Sequence, residues 1–513
     1  MKESQVIISK RLVAINSASF ALVQVFNGAI FWWVQHHLLY RVSPEEYSVY
    51  LVIGGFFFLM PVLSQVFVGS TLRYVVSHYA KGELDQVTSV VSSIFPVLLP
   101  VGCLIFAAAA LGVRHIETLF VIPSGCKGDA QLMLMMIALW ATLNLVLSPF
   151  TLGLHVLQRY VLNNAIVLLG EILKVTLLFV LLFGVSTRAL WVAVATTVGE
   201  LSCLLVRTVI SLRLVPELRF SVRHVRLQTV PRLISFGFWD SFLVLSRYLR
   251  NHTTMLVMNR FGTPIDVICF SLGRSMNRQA YQLWEPARLS LGPPLIAMYA
   301  TGSSDRLRRA YCTGGRYAIW LVMAAITPLI VFRHEFVRLY AGERYEQAAN
   351  VLFFWLLPIP FQLVNVMLPQ VARAQAQLRG LGLRTLWVQV VSLAAMFIVV
   401  WQFQRGCLEA AMTFAFFSIV GEIVFIWPHG CKLIGAGIRE VMREIIAPGL
   451  IPVAIGAAAL TFIRNVYHPN TWWGIVAGSA IGCIAYLCGV LMALPAYDRR
   501  GLVGLWKRSV VEA

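Results

Sequence analysis

Long apolar stretches recur along the whole chain, between residues 12 and 494. Runs of about 18 to 25 apolar residues are long enough for a helix that crosses roughly 30 Å of hydrocarbon. Apolar and polar residues rarely alternate, as they would in the strands of a transmembrane β-barrel. The pattern predicts an all-α polytopic membrane protein with fourteen transmembrane helices. The predicted spans 1 to 14 are 12–38, 47–70, 86–112, 131–153, 163–184, 189–212, 233–258, 265–298, 311–333, 348–370, 384–403, 409–431, 446–464 and 472–494.

The composition agrees with this class of protein. Of 513 residues, 58% are hydrophobic and 13% are charged, whereas soluble proteins have about 25% charged residues. The nine cysteines are scattered and form no C-x-x-C motif, so neither a zinc site nor a disulfide framework is expected. We predict no metal and no cofactor. The first apolar stretch has no small-residue cleavage site, which favours a retained helix over a signal peptide.

The net charge of +19 does not require a nucleic-acid partner, because the distribution of Lys and Arg among the loops explains it. With the N-terminus inside, the inner segments hold twenty-six Lys and Arg and the outer segments hold ten. This positive-inside bias predicts that both termini are cytoplasmic. The loops are short, about 25 residues at most, so no soluble domain is expected outside the membrane.

Two halves of the chain carry similar motifs at an offset of about 220 residues. "YAKGELD" (79–85) follows span 2, and "YATGSSD" (299–305) follows span 8. Pro44 and Pro264 precede the same two spans, and "VGEL" (198–201) answers "VGEI" (420–423). Parallel repeats of this kind are found in secondary transporters, with the substrate site between the lobes. We predict two six-helix lobes related by pseudo-twofold symmetry, residues 1–220 and 221–440, followed by two C-terminal helices and a cytoplasmic tail, residues 441–513.

Spans 7 and 8 contain an unusual number of arginines. One arginine at the bilayer centre costs roughly 2.5–3.5 kcal/mol, so five would cost on the order of 12–17 kcal/mol if they faced lipid. At 100° per residue, the polar residues of span 8 fall within an arc of about 80°, and Pro286 predicts a kink. The five arginines are Arg247, Arg250, Arg274, Arg278 and Arg288; Tyr281 and Glu285 share the face of span 8, and Asp240 lies in span 7.

Two interpretations of these arginines stay open. Guanidinium groups bind phosphate oxygens in bidentate fashion, so a column of them predicts a cavity for an anion. The other interpretation is a buried ion-pair network that fixes helix packing, but only Asp240 and Glu285 are available as carboxylates in these two spans.

Other polar residues within the spans are less specific. Residues of span 1 are candidates either for the cavity lining or for hydrogen bonds between helices. Glu171 and Lys174 lie one turn apart and are expected to pair, while Glu200 and Glu422 occupy equivalent repeat positions and are candidates for a coupling proton or for packing. The span 1 candidates are Asn16, Gln24 and Asn27.

Several loose motifs, taken in order, resemble those of the polysaccharide flippases, the Wzx-type branch of the MOP (multidrug/oligosaccharidyl-lipid/polysaccharide) superfamily. They are "VSPEEYSVYLV" after span 1, "RYVVSHYAKGELDQV" after span 2, and "PPLIAMYATGSSDRLRRAY" and "RLYAGERYEQAANVL" around span 9. The resemblance extends over nearly the whole chain and implies a MATE-like fold.

The resemblance implies that the protein is not an enzyme but a flippase. Its substrate would be an undecaprenyl-diphosphate-linked oligosaccharide, an O-antigen or exopolysaccharide repeat unit, moved from the cytoplasmic to the periplasmic leaflet of a bacterial inner membrane. Alternating access would be coupled to H⁺ or Na⁺. The five arginines would bind the diphosphate, and Tyr281 or Trp284 would stack on sugar. A monomer is expected, with a polysaccharide polymerase or export machinery as partners.

Three other functions are weighed against this one. A MATE-type multidrug or cation antiporter should present buried carboxylates to a cation, whereas this chain presents arginines. A flippase for the peptidoglycan lipid precursor would use the same kind of anion-binding cavity. A membrane-embedded polysaccharide polymerase or ligase needs catalytic residues on sizeable outer loops, which are lacking here.

Overall fold

The structure is a computed structural model. It describes residues 10–56, 81–157, 159–285, 304–375, 377–403 and 406–494, together with isolated positions within 62–79 and 295–299. The regular secondary structure of these residues is helical, and they contain no strand. The prediction of an all-α chain is therefore confirmed.

The α-helices are numbered in chain order. They are α1 Lys10–Arg41, α2 Pro44–Gly54, α3 Leu84–Arg114, α4 Ile116–Leu119, α5 Lys127–Leu147, α6 Gly153–Val156, α7 Tyr160–Gly184, α8 Leu190–Leu214, α9 Val230–Tyr248, α10 Thr254–Phe261, α11 Pro264–Gln282, α12 Ser304–Val331, α13 Arg333–Ala341, α14 Ala348–Leu356, α15 Ile359–Leu363, α16 Leu368–Ala374, α17 Leu378–Gln402, α18 Cys407–Gly421, α19 Trp427–Ile434, α20 Ile438–Val441, α21 Ala447–Tyr467 and α22 Trp472–Ala493.

Ten helical segments of the described residues are long and apolar enough to cross a membrane. They coincide with predicted spans 3 to 6 and 9 to 14. Spans 1 and 7 fall on α1 and on the α9–α10 segment, and spans 2 and 8 include residues outside the described part. The count of fourteen stays a prediction.

In the described part of the chain, three π-helical turns interrupt the longer helices, at Leu249–Thr253, Glu422–Ile426 and Met442–Ile446. Two of them come just before a proline, Pro428 or Pro448. A proline has no N–H and its ring clashes with the carbonyl four residues earlier, which a wider turn relieves. The sequence therefore carried a signal for these two turns, whereas no proline accounts for the first.

The chain forms two compact units. One comprises residues Met1–Ser271 and Leu378–Phe414, and the other Leu272–Gln377 and Ala415–Ala513. The predicted lobe boundaries after residues 220 and 440 stay a prediction. Pro44 and Pro264, which the repeat places in equivalent positions, are each the first residue of a helix, where proline is favourable because the first N–H needs no helical partner.

The first unit has an apolar core around α3. Val91 and Ile94 of α3 pack with Leu145 of α5 and with Val215 and Leu218, which follow α8; all five are fully buried. Apolar side chains of α3 thus pack both against α5 and against the residues that follow α8. At the start of α3, the His78 ring lies 2.5 Å from the Glu83 carboxylate, and this hydrogen bond lowers the pKa of Glu83.

In the second unit, α21 and α22 pack on α12. Arg316 of α12 is fully buried; its Nη1 donates to the Glu444 carbonyl oxygen over 3.0 Å, and the guanidinium lies 5.6 Å from the Trp320 ring centre. Tyr486 of α22 donates its hydroxyl proton to the Trp320 carbonyl oxygen over 3.0 Å. Arg316, one of the twenty-six cations assigned to the inner segments, lies within predicted span 9, and the structure also places it inside a candidate span.

Candidate functional site

The arginines of span 8 lie on α11, whose orientation is set by α14. The Nδ2 of Asn277 donates to the Trp355 carbonyl oxygen over 2.6 Å. A Cβ at Gly273 would lie 3.0 Å from the backbone nitrogen of Leu352, so the two helices touch through their backbones at this point. Because Gly273 and Asn277 are one turn apart, they define a single face of α11 that is fixed against α14.

Arg274 and Arg278 lie on a neighbouring face of α11, on average about 100° from the fixed one. Both residues are half-buried in the structure, and the Nε atom of Arg278 is fully buried. Tyr281 belongs to the same face, and its hydroxyl donates to Oε1 of Gln362 on α15. Because α11 is helical from Pro264 to Gln282, Arg274, Arg278 and Tyr281 share one face of it.

The rest of the predicted face is different. The helix α11 ends at Gln282, and a turn at Leu283 and Trp284 follows. Gln282 is four residues before Pro286, so its carbonyl group is the one that the proline ring would strike. The kink expected at Pro286 lies outside the described residues; half-buried Glu285, directly after the turn, is again helical. Trp284 is 6% exposed, and Arg288 lies outside the described residues.

The two arginines of span 7 belong to the first unit. Arg247 is exposed in the last turn of α9, and Arg250 is half-buried in the π-helical turn Leu249–Thr253. His252 in that turn is 6% exposed and stacks on Tyr248, with ring centres 5.3 Å apart. Single π turns often mark functional sites. The side chain of Asp240 lies outside the described part of α9, as does that of Asn16 in α1.

A polar chain in the second unit includes Glu422. The Tyr311 hydroxyl donates to Oδ1 of Asn365 over 2.7 Å, and Nδ2 of Asn365 lies 3.3 Å from the Glu422 carboxylate. A Cβ at Gly430 would lie 2.9 Å from Asn365 Oδ1, so only glycine leaves room for this arrangement. The sequence analysis found Glu422 but missed Asn365 and Tyr311, since contacts across 54 and 57 residues leave no local signal.

The repeat-related Glu200 lies in the first unit, at a small charged pocket between α7 and α8. Glu171 and Lys174 form the ion pair that their spacing predicted. The pocket has a volume of about 20 Å³, room for roughly one water molecule. Its charged lining is Glu171, Lys174, Glu200 and Arg207. Arg207, one of the twenty-six cations assigned to the inner segments, lies within predicted span 6, on the same helix as Glu200 and about two turns after it.

Two glycines allow the helices around this pocket to approach closely. A Cβ at Gly170 would lie 2.0 Å from the Cys203 sulfur, and one at Gly199 would lie 3.0 Å from the Gly170 carbonyl oxygen. Beyond the pocket, Asn164 of α7 donates to the Ser19 hydroxyl of α1 over 2.8 Å. Gln24 and Asn27 of α1 are half-buried, and their assignment to a cavity stays a prediction.

No model of a known protein family matches the sequence, and no curated protein matches it. Solved structures of similar fold exist. The lipid II flippase MurJ in an inward closed conformation superposes with a TM-score of 0.65 at 13% identity, covering 94% of this chain and 99% of that one. The MATE multidrug transporter DinF-BH gives 0.62 at 16% identity over 85% of this chain and 100% of that one.

A third similar structure is a MATE protein in complex with MaL6, with a TM-score of 0.58 at 14% identity over 83% of this chain and 96% of that one. Together with the ten candidate spans, these likenesses support a multi-pass membrane protein. The structural neighbours are transporters and flippases of the MOP superfamily. The chain therefore has a fold similar to those of the lipid II flippase MurJ and the MATE transporters.

Proposed function

We propose that the protein is a flippase of the MOP superfamily that moves a diphosphate-linked polyprenyl oligosaccharide across a bacterial inner membrane. The observation that supports this most is the pair Arg274 and Arg278. They lie on one half-buried face of α11, while the adjacent face is fixed to α14. Two guanidinium groups one turn apart suit the oxygens of a diphosphate, which offer bidentate acceptors.

The other arginines extend this assignment. Arg247, Arg250 and Arg288 would also bind the diphosphate. In the proposal, Tyr281 and Trp284 contact sugar. The MATE-type drug antiporter is less favoured, because its cationic substrate would meet arginines on α11.

The lipid II flippase MurJ gives a second candidate function. Its structure covers nearly the whole of both chains, and a lipid-linked peptidoglycan precursor also carries a diphosphate. The two substrates share the headgroup chemistry that the arginines would bind and differ in the attached sugar. Substrate competition therefore distinguishes the two candidates.

Transport of a fluorescent undecaprenyl-diphosphate oligosaccharide in proteoliposomes tests the proposal. Because a charge-assisted hydrogen bond contributes about 1.5–3 kcal/mol, we expect Arg278→Ala to slow flipping by roughly 10- to 100-fold. Arg278→Lys should restore part of the rate, and Arg260→Ala, an exposed arginine at the end of α10, is the matched control. Equal rates for Arg278→Ala and Arg260→Ala would refute the role of Arg278.

The same vesicles test the coupling ion. Glu200 and Glu422 are the candidates for proton coupling, since each lies near polar or charged groups inside a candidate span. If protons drive transport, an imposed pH gradient accelerates flipping, and Glu200→Gln or Glu422→Gln abolishes that acceleration. Acceleration by a sodium gradient and not by a pH gradient would exclude the proton as the coupling ion.

A flipping rate for lipid II above that of the oligosaccharide would favour the second candidate function, transport of the peptidoglycan precursor.

A further inference from the structure

The connector between α8 and α9, residues 215–229, is anchored to α3 by a row of hydroxyl side chains. Thr88 Oγ1 donates to the Glu217 carbonyl oxygen over 2.8 Å, and Ser89 Oγ donates to that of His224 over 2.9 Å. Ser92 and Ser93 accept hydrogen bonds from the backbone nitrogens of Ser221 and Arg226, over 2.9 and 2.8 Å. The connector backbone is thus held at four points between residues 217 and 226.

The two sides of this connector differ in chemistry. The buried side of the connector enters the apolar core through Val215 and Leu218, both fully buried. The exposed side, called the outer side here without reference to the membrane, combines apolar side chains with cations. Val222 is 76% exposed and Phe220 is 42% exposed. The exposed cations are Arg213, Arg219, Arg223 and Arg226.

The charge of the outer side is not balanced locally. Glu217 is the one acidic residue between 213 and 229. Within the described part of the chain, none of the four arginines forms an ion pair. Two 3₁₀ turns, Pro216–Leu218 and Val222–His224, give the segment a defined backbone. The backbone that carries the arginines is therefore held in place without a carboxylate pairing with them.

We propose that this connector is a docking surface for anionic phospholipid headgroups. Arginines interleaved with exposed apolar side chains fit the interface of an acidic leaflet, where the apolar groups reach the acyl boundary. The hydrogen bonds to α3 hold the backbone before a lipid arrives, so binding costs little ordering entropy. The inference goes beyond the proposed transport function, because it does not depend on which substrate is moved.

A tryptophan placed at the most exposed position reports on this contact. The full chain carrying Val222→Trp is reconstituted in phosphatidylcholine containing a minor fraction of phosphatidylglycerol, with one lipid or the other brominated on its acyl chains. The fluorescence of the added tryptophan is obtained by subtracting the signal of the wild-type protein, and its quenching is measured. We expect brominated phosphatidylglycerol to quench well above its mole fraction, and high salt to reduce the excess.

Removing the arginines supplies the decisive comparison. Each is expected to contribute about fivefold to local enrichment of the anionic lipid, so Arg219→Gln with Arg223→Gln should lower the enrichment roughly 25-fold or to the mole fraction. The matched control is Arg306→Gln with Arg309→Gln, two exposed arginines at the start of α12. Quenching by both lipids in proportion to their mole fractions, or an equal loss in the control variant, would overturn the proposal.

Discussion

At the scale of single residues, the polar side chains of α11 differ in burial and in their contacts. Asn277 is 4% exposed and bonded to the Trp355 carbonyl oxygen, while Arg274 and Arg278 on the neighbouring face keep part of their surface. Asn277 therefore holds the helix against α14, while the binding of a ligand by the two arginines belongs to the proposed function. The sequence identifies all three as polar residues in a span, but it does not indicate which of them is buried against another helix.

We predict that Asn277→Ala lowers the free energy of unfolding by about 1–3 kcal/mol, because the Trp355 carbonyl group loses its hydrogen bond in a buried place. Unfolding of the purified protein in detergent measures the change. Gln279→Ala, a half-buried position on the same helix, is the control and should change stability by less than about 0.5 kcal/mol. An Asn277→Ala protein as stable as the control would exclude the proposed anchoring.

At the scale of elements, close backbone approach decides how α7 and α8 pack. Small residues allow membrane helices to come near each other, where van der Waals contacts replace the missing hydrophobic driving force. Gly170 and Gly199 provide this contact beside the charged pocket, and Cys203 occupies the space that a side chain at residue 170 would need. The pocket with Glu200 therefore exists because two glycines and one cysteine fit together.

The clash at Gly170 gives a double-mutant prediction. Gly170→Ala places a methyl group against the Cys203 sulfur and should destabilise the protein by about 1–3 kcal/mol. In Gly170→Ala with Cys203→Ala the nearest atom becomes the Gly199 carbonyl oxygen, at 3.3 Å, so part of the loss should be recovered. The thermal midpoints of the four proteins of the cycle measure the coupling. Additive effects of the two substitutions would show that the side chains do not compete for this space.

At the scale of the whole molecule, the distribution of Lys and Arg predicts the orientation in the membrane. Two glycines provide matched reporter positions, because a Cβ at either Gly184 or Gly437 meets no atom within 4 Å. With cytoplasmic termini, Gly184 lies outside and Gly437 inside. We expect a membrane-impermeant maleimide, applied to intact cells, to label Gly184→Cys and not Gly437→Cys in a background without the native cysteines. The reverse pattern would contradict the predicted orientation.

Much of the architecture follows from the sequence alone, because a lipid-spanning segment must satisfy its backbone hydrogen bonds internally and must be apolar over a fixed length. Both requirements are local, so the helices, the ion pair of Glu171 with Lys174 and the common face of Arg274, Arg278 and Tyr281 were accessible to pattern reasoning. The helix α11 ends at Gln282, four residues before Pro286, the residue at which the sequence predicts a kink.

Only the tertiary structure decided which distant side chains meet. Tyr281 bonds Gln362 across 81 residues, and Ser93 bonds the Arg226 backbone across 133. Such contacts depend on the angles at which helices cross and on the small residues that let them approach. The periodicity of a single helix predicts neither the crossing angles nor the sites of close approach. For the same reason the sequence identified charged residues in the spans, while folding determined that Arg316 is enclosed, that Arg207 lines a pocket and that Arg278 stays half-exposed.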